Sequence, residues 1–335
     1  MEGDPPLERP RLALPLALFA ATVLSTFYAG AQIAAGWAAG PLGEARDPTD
    51  VFSAVTARGG GYGAALVALA RSLAEGWTFA APLLAILLAH EFGHWVMARR
   101  HRVEASLPMF VPFPNLFGTM GAVISMRGRI RTRDALVDIG AAGPLAGLAV
   151  ALPVMALGLS LSRFAPAAPK PGMTLIEGDS ILYLALKRLV HGAPPPGQEL
   201  WLHPVALAAW AGFFVTMLNL LPIGQLDGGH VAYALFGRRH DRWSQHIVKA
   251  LAALALGVAA WVAVSTPRKL LGFDAFTPAT IWLAWAVFAR VVTRLTGDAH
   301  PPTDEGPLSP ARRVVAAVTL AAFVLLFMPL PMRVG

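Results

Sequence analysis

Cysteine is absent from the 335-residue sequence, and charged side chains are scarce. Without cysteine the chain can form no disulfide framework and offers no thiolate to a metal ion, so histidine, aspartate or glutamate must supply any metal ligands. Charged residues make up 14% of the sequence, whereas a soluble globular chain carries about a quarter. The hydrophobic fraction is 56% and the mean hydropathy is +0.56. This composition predicts a multi-pass membrane protein.

Several apolar segments have the length needed to cross a hydrocarbon core of roughly 30 Å. Together they predict an all-α polytopic fold of about seven transmembrane helices that forms a single membrane domain over residues 1–335. Short amphipathic helices are expected in the connections, near residues 64–73 and 180–190. The predicted spans are Leu12–Ala34, Trp77–Met97, Ala135–Leu161, Trp201–Leu221, Ile247–Val264, Thr280–Val292 and Val314–Met328.

The net charge of +7 does not indicate nucleic-acid binding, because basic residues of membrane proteins concentrate in cytoplasmic loops. Placing the N-terminus in the cytoplasm puts most lysines and arginines on the inner side and most tryptophans near the outer ends of the spans. A prokaryotic plasma (inner) membrane is the simplest host. Ala29–Ala31 would permit cleavage of the first span as a signal peptide, but its length and the acidic residues before it favour a retained helix.

The second predicted span contains the pattern His90-Glu91-Phe92-Gly93-His94. On a helix, residues four positions apart share one face, so His90 and His94 can bind one cation. Glu91 lies beside them and is placed to accept a proton from a metal-bound water. Two histidines, a carboxylate and one open position are typical of zinc. Because ionisable groups within a span are costly and usually functional, we interpret the motif as a metal site rather than as two core histidines.

A third protein ligand is required, and the best region for it follows the fourth span. Proline and glycine residues within Asn219–His230 predict a break in the helix. Broken backbone at membrane depth is tolerated where it lines a buried or water-filled cavity. Asp227 is the favoured candidate and His230 the second; the other candidates are His203, Asp138 and Glu104.

Residues 99–133 are not predicted to span the membrane, because their prolines interrupt a helix. We expect a small extended, β-like loop near the metal site, with Gly121–Arg133 as its extended part. In a strand, Arg127, Arg129, Arg131 and Arg133 would share one face, where they would contact anionic headgroups. An extended edge beside a metal site can also pair with an unwound peptide as an added strand.

These motifs resemble those of the site-2 protease family of intramembrane zinc metalloproteases. His90-Glu91-x-x-His94 matches the first family motif, and Asn219-x-x-Pro222-x-x-x-Leu226-Asp227-Gly228-Gly229 matches the second. Gly140–Gly147 resembles the small-residue motif between them. The resemblance covers residues 75–240, the predicted catalytic core, and leaves 241–335 as additional C-terminal spans. An independent PDZ domain has no room between the motifs, so the chain is most similar to the compact members that lack one.

The resemblance implies that His90, His94 and Asp227 bind one zinc ion per chain and that Glu91 is the general base. It implies that Asn219 binds substrate or stabilises the oxyanion. The implied activity is hydrolysis of transmembrane-helix substrates, single-span membrane proteins of the lipid bilayer, toward the cytoplasmic side in regulated intramembrane proteolysis. The alternatives are a metal-ion transporter, which should contain internal repeats or paired broken helices, and a non-catalytic membrane scaffold. The sequence has one broken segment, no clear repeat and an intact motif set.

Overall fold

Helices dominate the structure, a computed structural model that describes residues 12–40, 47–127, 130–166, 175–266, 273–296 and 306–334. A short 3₁₀ turn, Phe273–Phe276, precedes the tenth helix. The α-helices are α1 (Ala13–Ala39), α2 (Pro48–Ala57), α3 (Tyr62–Glu75), α4 (Trp77–Arg100), α5 (Arg133–Leu161), α6 (Ile181–His191), α7 (Pro204–Asn219), α8 (Asp227–Phe236), α9 (Arg239–Ser265), α10 (Thr277–Thr296) and α11 (Pro310–Leu326).

Among the described residues, four helices are long and apolar enough to cross a membrane: α1, α4, α5 and α9. Helix α7 is apolar but has only 16 residues. It begins later than the predicted span because Gln198–Trp201 forms a strand, and Pro204 then occupies its first turn, where proline is favoured. The composition thus correctly predicts a mostly helical membrane protein.

Helices α4, α5 and α7 form the centre of the molecule. Their buried faces share one apolar cluster that includes Leu83 of α4, Met155 of α5 and Trp210 of α7. These three side chains are at most 1% exposed. Burial of apolar side chains between apolar helices sets the positions of the motif residues on α4 and α7.

The predicted helix break after the fourth span lies between α7 and α8. Helix α7 ends at Asn219, and α8 begins at Asp227. Gly228 packs so closely on the carbonyl of Leu220 that a Cβ atom would clash there. This close approach folds the start of α8 back against the end of α7 and brings the two halves of the second motif together.

The segment after α4 forms two antiparallel strand pairs. Strand β1 (Glu104–Ala105) pairs with β4 (Met126–Arg127), and β2 (Met109–Pro112) pairs with β3 (Thr119–Val123). The tip between β2 and β3 reaches α1, where the hydroxyl of Ser25 donates a 2.6 Å hydrogen bond to the carbonyl of Gly118. Two further antiparallel pairs join β5 (Arg163–Pro166) to β7 (Gln198–Trp201) and β6 (Leu175–Glu177) to β8 (Met332–Val334).

One prediction for this segment is wrong. The extended run expected over Gly121–Arg133 does not include its last residue, because Arg133 is the first residue of α5. Thr132 caps the N-terminus of that helix, since its hydroxyl accepts a 3.1 Å hydrogen bond from the Ala135 N–H. Arg131 and Arg133 therefore do not continue one strand face, and the expected position of Arg129 lies outside the described residues.

Candidate metal centre

Helix α4 holds the first motif in the interior of the protein. His90 is 3% exposed, Glu91 6% and His94 5%. Because the histidines are one helical turn apart, their Nε2 atoms lie 3.2 Å from each other. The two imidazoles thus present one nitrogen each to the same small volume.

Asp227, the first residue of α8, brings a carboxylate to these nitrogens. Its Oδ2 atom lies 3.3 Å from His90 Nε2 and 3.2 Å from His94 Nε2. One ligand atom from each of the three residues lies within 4.8 Å of the other two. The helix break makes this convergence possible, because it places the N-terminus of α8 at the depth of the histidines on α4.

The other candidate ligands serve different contacts. His203 precedes α7 and its Nδ1 accepts a 3.2 Å hydrogen bond from the Val205 N–H. Glu104 lies in β1 and is exposed. Asp138 pairs with His101 and Arg312. Of the five candidates, Asp227 is the one that joins the His90–His94 group in the described part of the chain; His230 is not a member of it.

Helix α5 orients the second histidine through its backbone. His94 Nδ1 donates a 2.7 Å hydrogen bond to the carbonyl oxygen of Ile139. A proton on Nδ1 leaves a lone pair on Nε2, which faces the Asp227 carboxylate. An imidazole lone pair opposite a carboxylate oxygen is stabilised by a cation between them. The arrangement of donors therefore fits a metal ion, and two nitrogens with one oxygen fit zinc.

The small residues of α5 face the two histidines. A Cβ atom at Gly143 would overlap the imidazole of His94, and one at Gly147 would lie 3.3 Å from the Cβ of His90. Small residues four positions apart let two helix backbones approach closely. The two glycines make room for the imidazole rings as well as for the α4 backbone.

Asn219, the last residue of α7, lies at the edge of the cluster. Its amide Nδ2 is 3.2 Å from His90 Nε2, the nitrogen that faces Asp227. The structure thus brings His90, His94, Asn219 and Asp227 together, and Glu91 is buried next to His90 on α4. No sequence pattern indicates the role of the Ile139 carbonyl, since a backbone acceptor leaves no residue signature. The small-residue stretch beside it is its one trace in the sequence.

The model of peptidase family M50 matches residues 78–264 of this chain, from α4 into α9. The chain is 29% identical over 251 residues to "Probable zinc metalloprotease EGY1, chloroplastic" of Arabidopsis thaliana, and the aligned region covers 74% of this chain and 42% of that protein. It is 33% identical over 159 residues to the protein of the same name from Oryza sativa subsp. japonica, covering 47% and 27%. It is 32% identical over 180 residues to "Probable zinc metalloprotease EGY2, chloroplastic" of Oryza sativa subsp. indica, covering 52% and 30%.

The chain thus spans less than half the length of each of these relatives. The family match covers more than half of this chain and includes every residue predicted for the site. The resemblance inferred from the two motifs is confirmed: the chain belongs to peptidase family M50, the site-2 protease family.

Proposed function

We propose that this protein is an intramembrane zinc metalloprotease that hydrolyses peptide bonds of transmembrane-helix substrates toward the cytoplasmic side of the membrane. One observation carries the proposal: His90, His94 and Asp227 converge among apolar helices with Glu91 beside them. Membership of family M50 and similarity to proteins named as zinc metalloproteases support the same activity.

His90, His94 and Asp227 would hold the zinc ion, one per chain. When bound, zinc polarises a substrate carbonyl and lowers the pKa of water toward neutrality. The remaining chemistry belongs to protein groups. Glu91 accepts the proton of the attacking water and delivers it to the leaving amine. The amide of Asn219 lies beside His90 Nε2, at the edge of the cluster. From there it donates a hydrogen bond to the substrate carbonyl oxygen, which becomes negatively charged when water attacks.

The substrate helix must unwind locally before attack, because each of its carbonyl groups accepts a hydrogen bond from a backbone N–H of the same helix. Strand β3 offers a surface for the unwound segment. In the described residues β3 pairs with β2 alone, and Met120 and Val123 are 63% and 57% exposed. A peptide added along the free edge of β3 would exchange its internal hydrogen bonds for hydrogen bonds to the strand.

We further propose that the whole of residues 1–335 is one membrane domain, with 75–240 as the catalytic core and 241–335 as additional spans. Helices α1, α4, α5, α7, α9, α10 and α11 would be the seven spans, with the N-terminus in the cytoplasm of a prokaryotic inner membrane. Arg99 and Arg100 at the end of α4 support this orientation.

Single cysteines can test the orientation, because the chain itself contains none. In the proposed topology residue 53 lies outside the cell and residue 104 lies in the cytoplasm. A membrane-impermeant thiol reagent applied to whole cells should therefore label Ser53→Cys and leave Glu104→Cys unlabelled.

The decisive experiment measures zinc content and peptide cleavage on the same preparations. Detergent-purified wild type, Glu91→Gln and Asp227→Ala are tested against a library of single-span membrane proteins. Exposed Glu75→Gln is the matched control for loss of a carboxylate. We expect wild type and the control to bind zinc and cleave substrate. Glu91→Gln should bind zinc without cleaving, and Asp227→Ala should neither bind zinc nor cleave. A fully active Glu91→Gln would remove the base from the mechanism, and zinc binding without cleavage by any preparation would favour a metal transporter.

If the activity holds, a role in regulated intramembrane proteolysis follows as the physiological proposal. Single-span membrane proteins would be the substrates, and cleavage near the inner face would release a cytoplasmic fragment. Comparing the membrane proteome with and without wild-type activity would test this role. Substrate fragments that end within a predicted span, and that vanish with Glu91→Gln, are the expected outcome.

A further inference from the structure

Helix α11 lies beyond the residues matched by the family model, yet its first turn is bonded to α5. The Ser309 N–H donates a 2.9 Å hydrogen bond to Oδ1 of Asp134. One turn further along both helices, Arg312 donates two hydrogen bonds to Asp138. Its Nε atom donates to Oδ1 and its Nη2 atom to Oδ2, and both distances are 3.1 Å. A guanidinium that contacts both oxygens of one carboxylate fixes its direction as well as its distance.

Asp138 also reaches the helix that carries the first motif. His101, the residue that directly follows α4, places its Nε2 atom 2.9 Å from Asp138 Oδ2. Asp138 is 9% exposed. One buried carboxylate therefore joins the end of α4, the second turn of α5 and the first turn of α11.

The backbone beside Asp138 is the part of α5 that touches the metal centre. The next residue, Ile139, accepts the hydrogen bond of His94 Nδ1 at 2.7 Å. A Cβ atom at the following residue, Gly140, would lie 3.3 Å from the carbonyl oxygen of Asp227. Three consecutive residues of α5 thus contact α11, one histidine of the cluster and the helix that begins with the aspartate.

Helix α11 contacts α8 in the same region. Ala316 of α11 and Leu308 just before it share a buried apolar cluster with Val231 and Ala234 of α8 and with Val137 of α5. Ala316 is fully buried. The helix therefore packs on both elements that fix the positions of His94 and Asp227.

We propose that Arg312 is a positioning residue, and that α11 braces the metal centre through Arg312 and Asp138. This inference rests on the proposed function insofar as the cluster binds zinc. The guanidinium holds the Asp138 carboxylate, which keeps the α5 backbone at the distance that orients the imidazole of His94. Loss of Arg312 leaves a buried carboxylate with His101 as its remaining partner, so the first turns of α5 shift to rehydrate it.

The test compares zinc affinity in full-length detergent-purified protein carrying single substitutions. Arg312→Gln removes the charge and the two-point contact, while Arg312→Lys keeps the charge and allows one contact. Arg313→Gln is the matched control, because Arg313 is the next residue of the same helix and is exposed. Zinc affinity is measured by competition with a chelator, and apo-protein melting temperature is measured in parallel.

We expect roughly ten-fold weaker zinc binding for Arg312→Gln, at the lower end of the effects seen when groups that orient metal ligands are lost. Arg312→Lys should fall between that variant and wild type, and Arg313→Gln should match wild type. A purely structural role would lower the apo melting temperature without changing zinc affinity. If Arg312→Gln fails to fold, Arg312→Lys and Asp138→Asn provide the same comparison. In a double-mutant cycle, the effects of Arg312→Gln and Asp138→Asn on zinc affinity should be non-additive.

The outcomes separate this inference from the proposed function. Wild-type zinc affinity in folded Arg312→Gln, or equal losses in Arg312→Gln and Arg313→Gln, would overturn the positioning role. Zinc binding by wild type without cleavage would contradict the protease and leave the affinity comparison valid. Absence of zinc binding in wild type would overturn both.

Discussion

His94 and Ile139 join the motif helix to the glycine-rich helix through a 2.7 Å hydrogen bond from the imidazole Nδ1 to the backbone carbonyl oxygen. The bond has two consequences. It fixes the tautomer of His94, so that Nε2 keeps its lone pair and faces Asp227 at 3.2 Å. It also makes the orientation of the imidazole depend on the distance between α4 and α5, and that distance depends on the residues between them.

The first prediction concerns that distance. Gly143→Ala should weaken zinc binding and lower the free energy of unfolding by about 1–3 kcal/mol, because the added methyl group overlaps the imidazole of His94. Either α5 moves away, which lengthens the bond to Ile139, or the imidazole rotates out of line with Asp227. Chelator competition and thermal unfolding of the same preparation measure the two effects.

Gly257→Ala is the matched control for this substitution. Gly257 lies within α9, is exposed, and has open space where its Cβ would be. The change should leave zinc affinity unaltered and change stability by no more than about 1 kcal/mol, in the stabilising direction. Equal effects at the two glycines would show that contact with His94 is not the cause.

The second prediction separates Asn219 from the metal ligands. Asn219→Ala should lower kcat by about 10²–10³-fold with little change in KM, the pattern expected when a donor to a developing oxyanion is removed. Bound zinc should remain stoichiometric, because the amide contacts His90 without supplying one of the three clustered ligand atoms. Steady-state kinetics with metal analysis measures both, and the exposed amide Gln245→Ala is the control. Loss of zinc from Asn219→Ala would instead give Asn219 a role in holding the site together.

Local sequence patterns predicted the parts of the site that depend on local structure. The four-residue spacing of His90 and His94 required only that the segment be helical, which its apolar composition ensured. The prolines and glycines around Asp227 required only that the helix end there. Both features follow from short-range backbone preferences, and the family resemblance then joined the two segments.

Contacts between distant segments could not be predicted in this way. Arg312 and Asp138 are separated by 174 positions, and no spacing rule relates residues on different helices. The extended run over Gly121–Arg133 was predicted because prolines exclude a helix from this segment, yet Thr132 caps α5 and Arg133 is already helical. The pairing of β6 with β8 likewise joins residues whose own sequences carry no sign of their partner.

The third prediction concerns removal of the metal. Extraction of zinc with a chelator should abolish cleavage and lower the melting temperature, and added zinc should restore both. A ligand that binds only the folded state stabilises it by about 2.7 kcal/mol when its free concentration is 100 times Kd. The zinc-dependent shift should vanish in Asp227→Ala and persist in Glu91→Gln, because only the first substitution removes a ligand atom. A melting temperature that does not respond to zinc in wild type would contradict a metal site at these residues.

The fourth prediction concerns pH and a carboxyl group outside the membrane-spanning helices. Glu177 lies in β6, where its carboxyl accepts a 3.2 Å hydrogen bond from the Tyr183 hydroxyl. Burial raises the pKa of Glu177 above its ordinary value of 4.5, and this effect exceeds the opposing influence of backbone hydrogen bonding and of Lys187. The folded protein therefore binds a proton at Glu177 more tightly than the unfolded chain does.

The sign of the pH dependence follows from linkage. The stability that comes from this group is fully present below the ordinary pKa and is lost as pH rises through the raised pKa of the folded state.

Glu177→Gln replaces the carboxyl with a neutral group of the same shape. The variant should equal wild type in stability near pH 4 and exceed it at neutral pH, where wild type must either keep a buried charge or unfold more readily. Melting temperatures between pH 4 and 8 measure the difference, with exposed Glu75→Gln as the matched control for the loss of one carboxyl group. A variant less stable than wild type at neutral pH would mean that the ionised carboxylate is stabilised in the fold, through Lys187 or Tyr183, more than burial destabilises it.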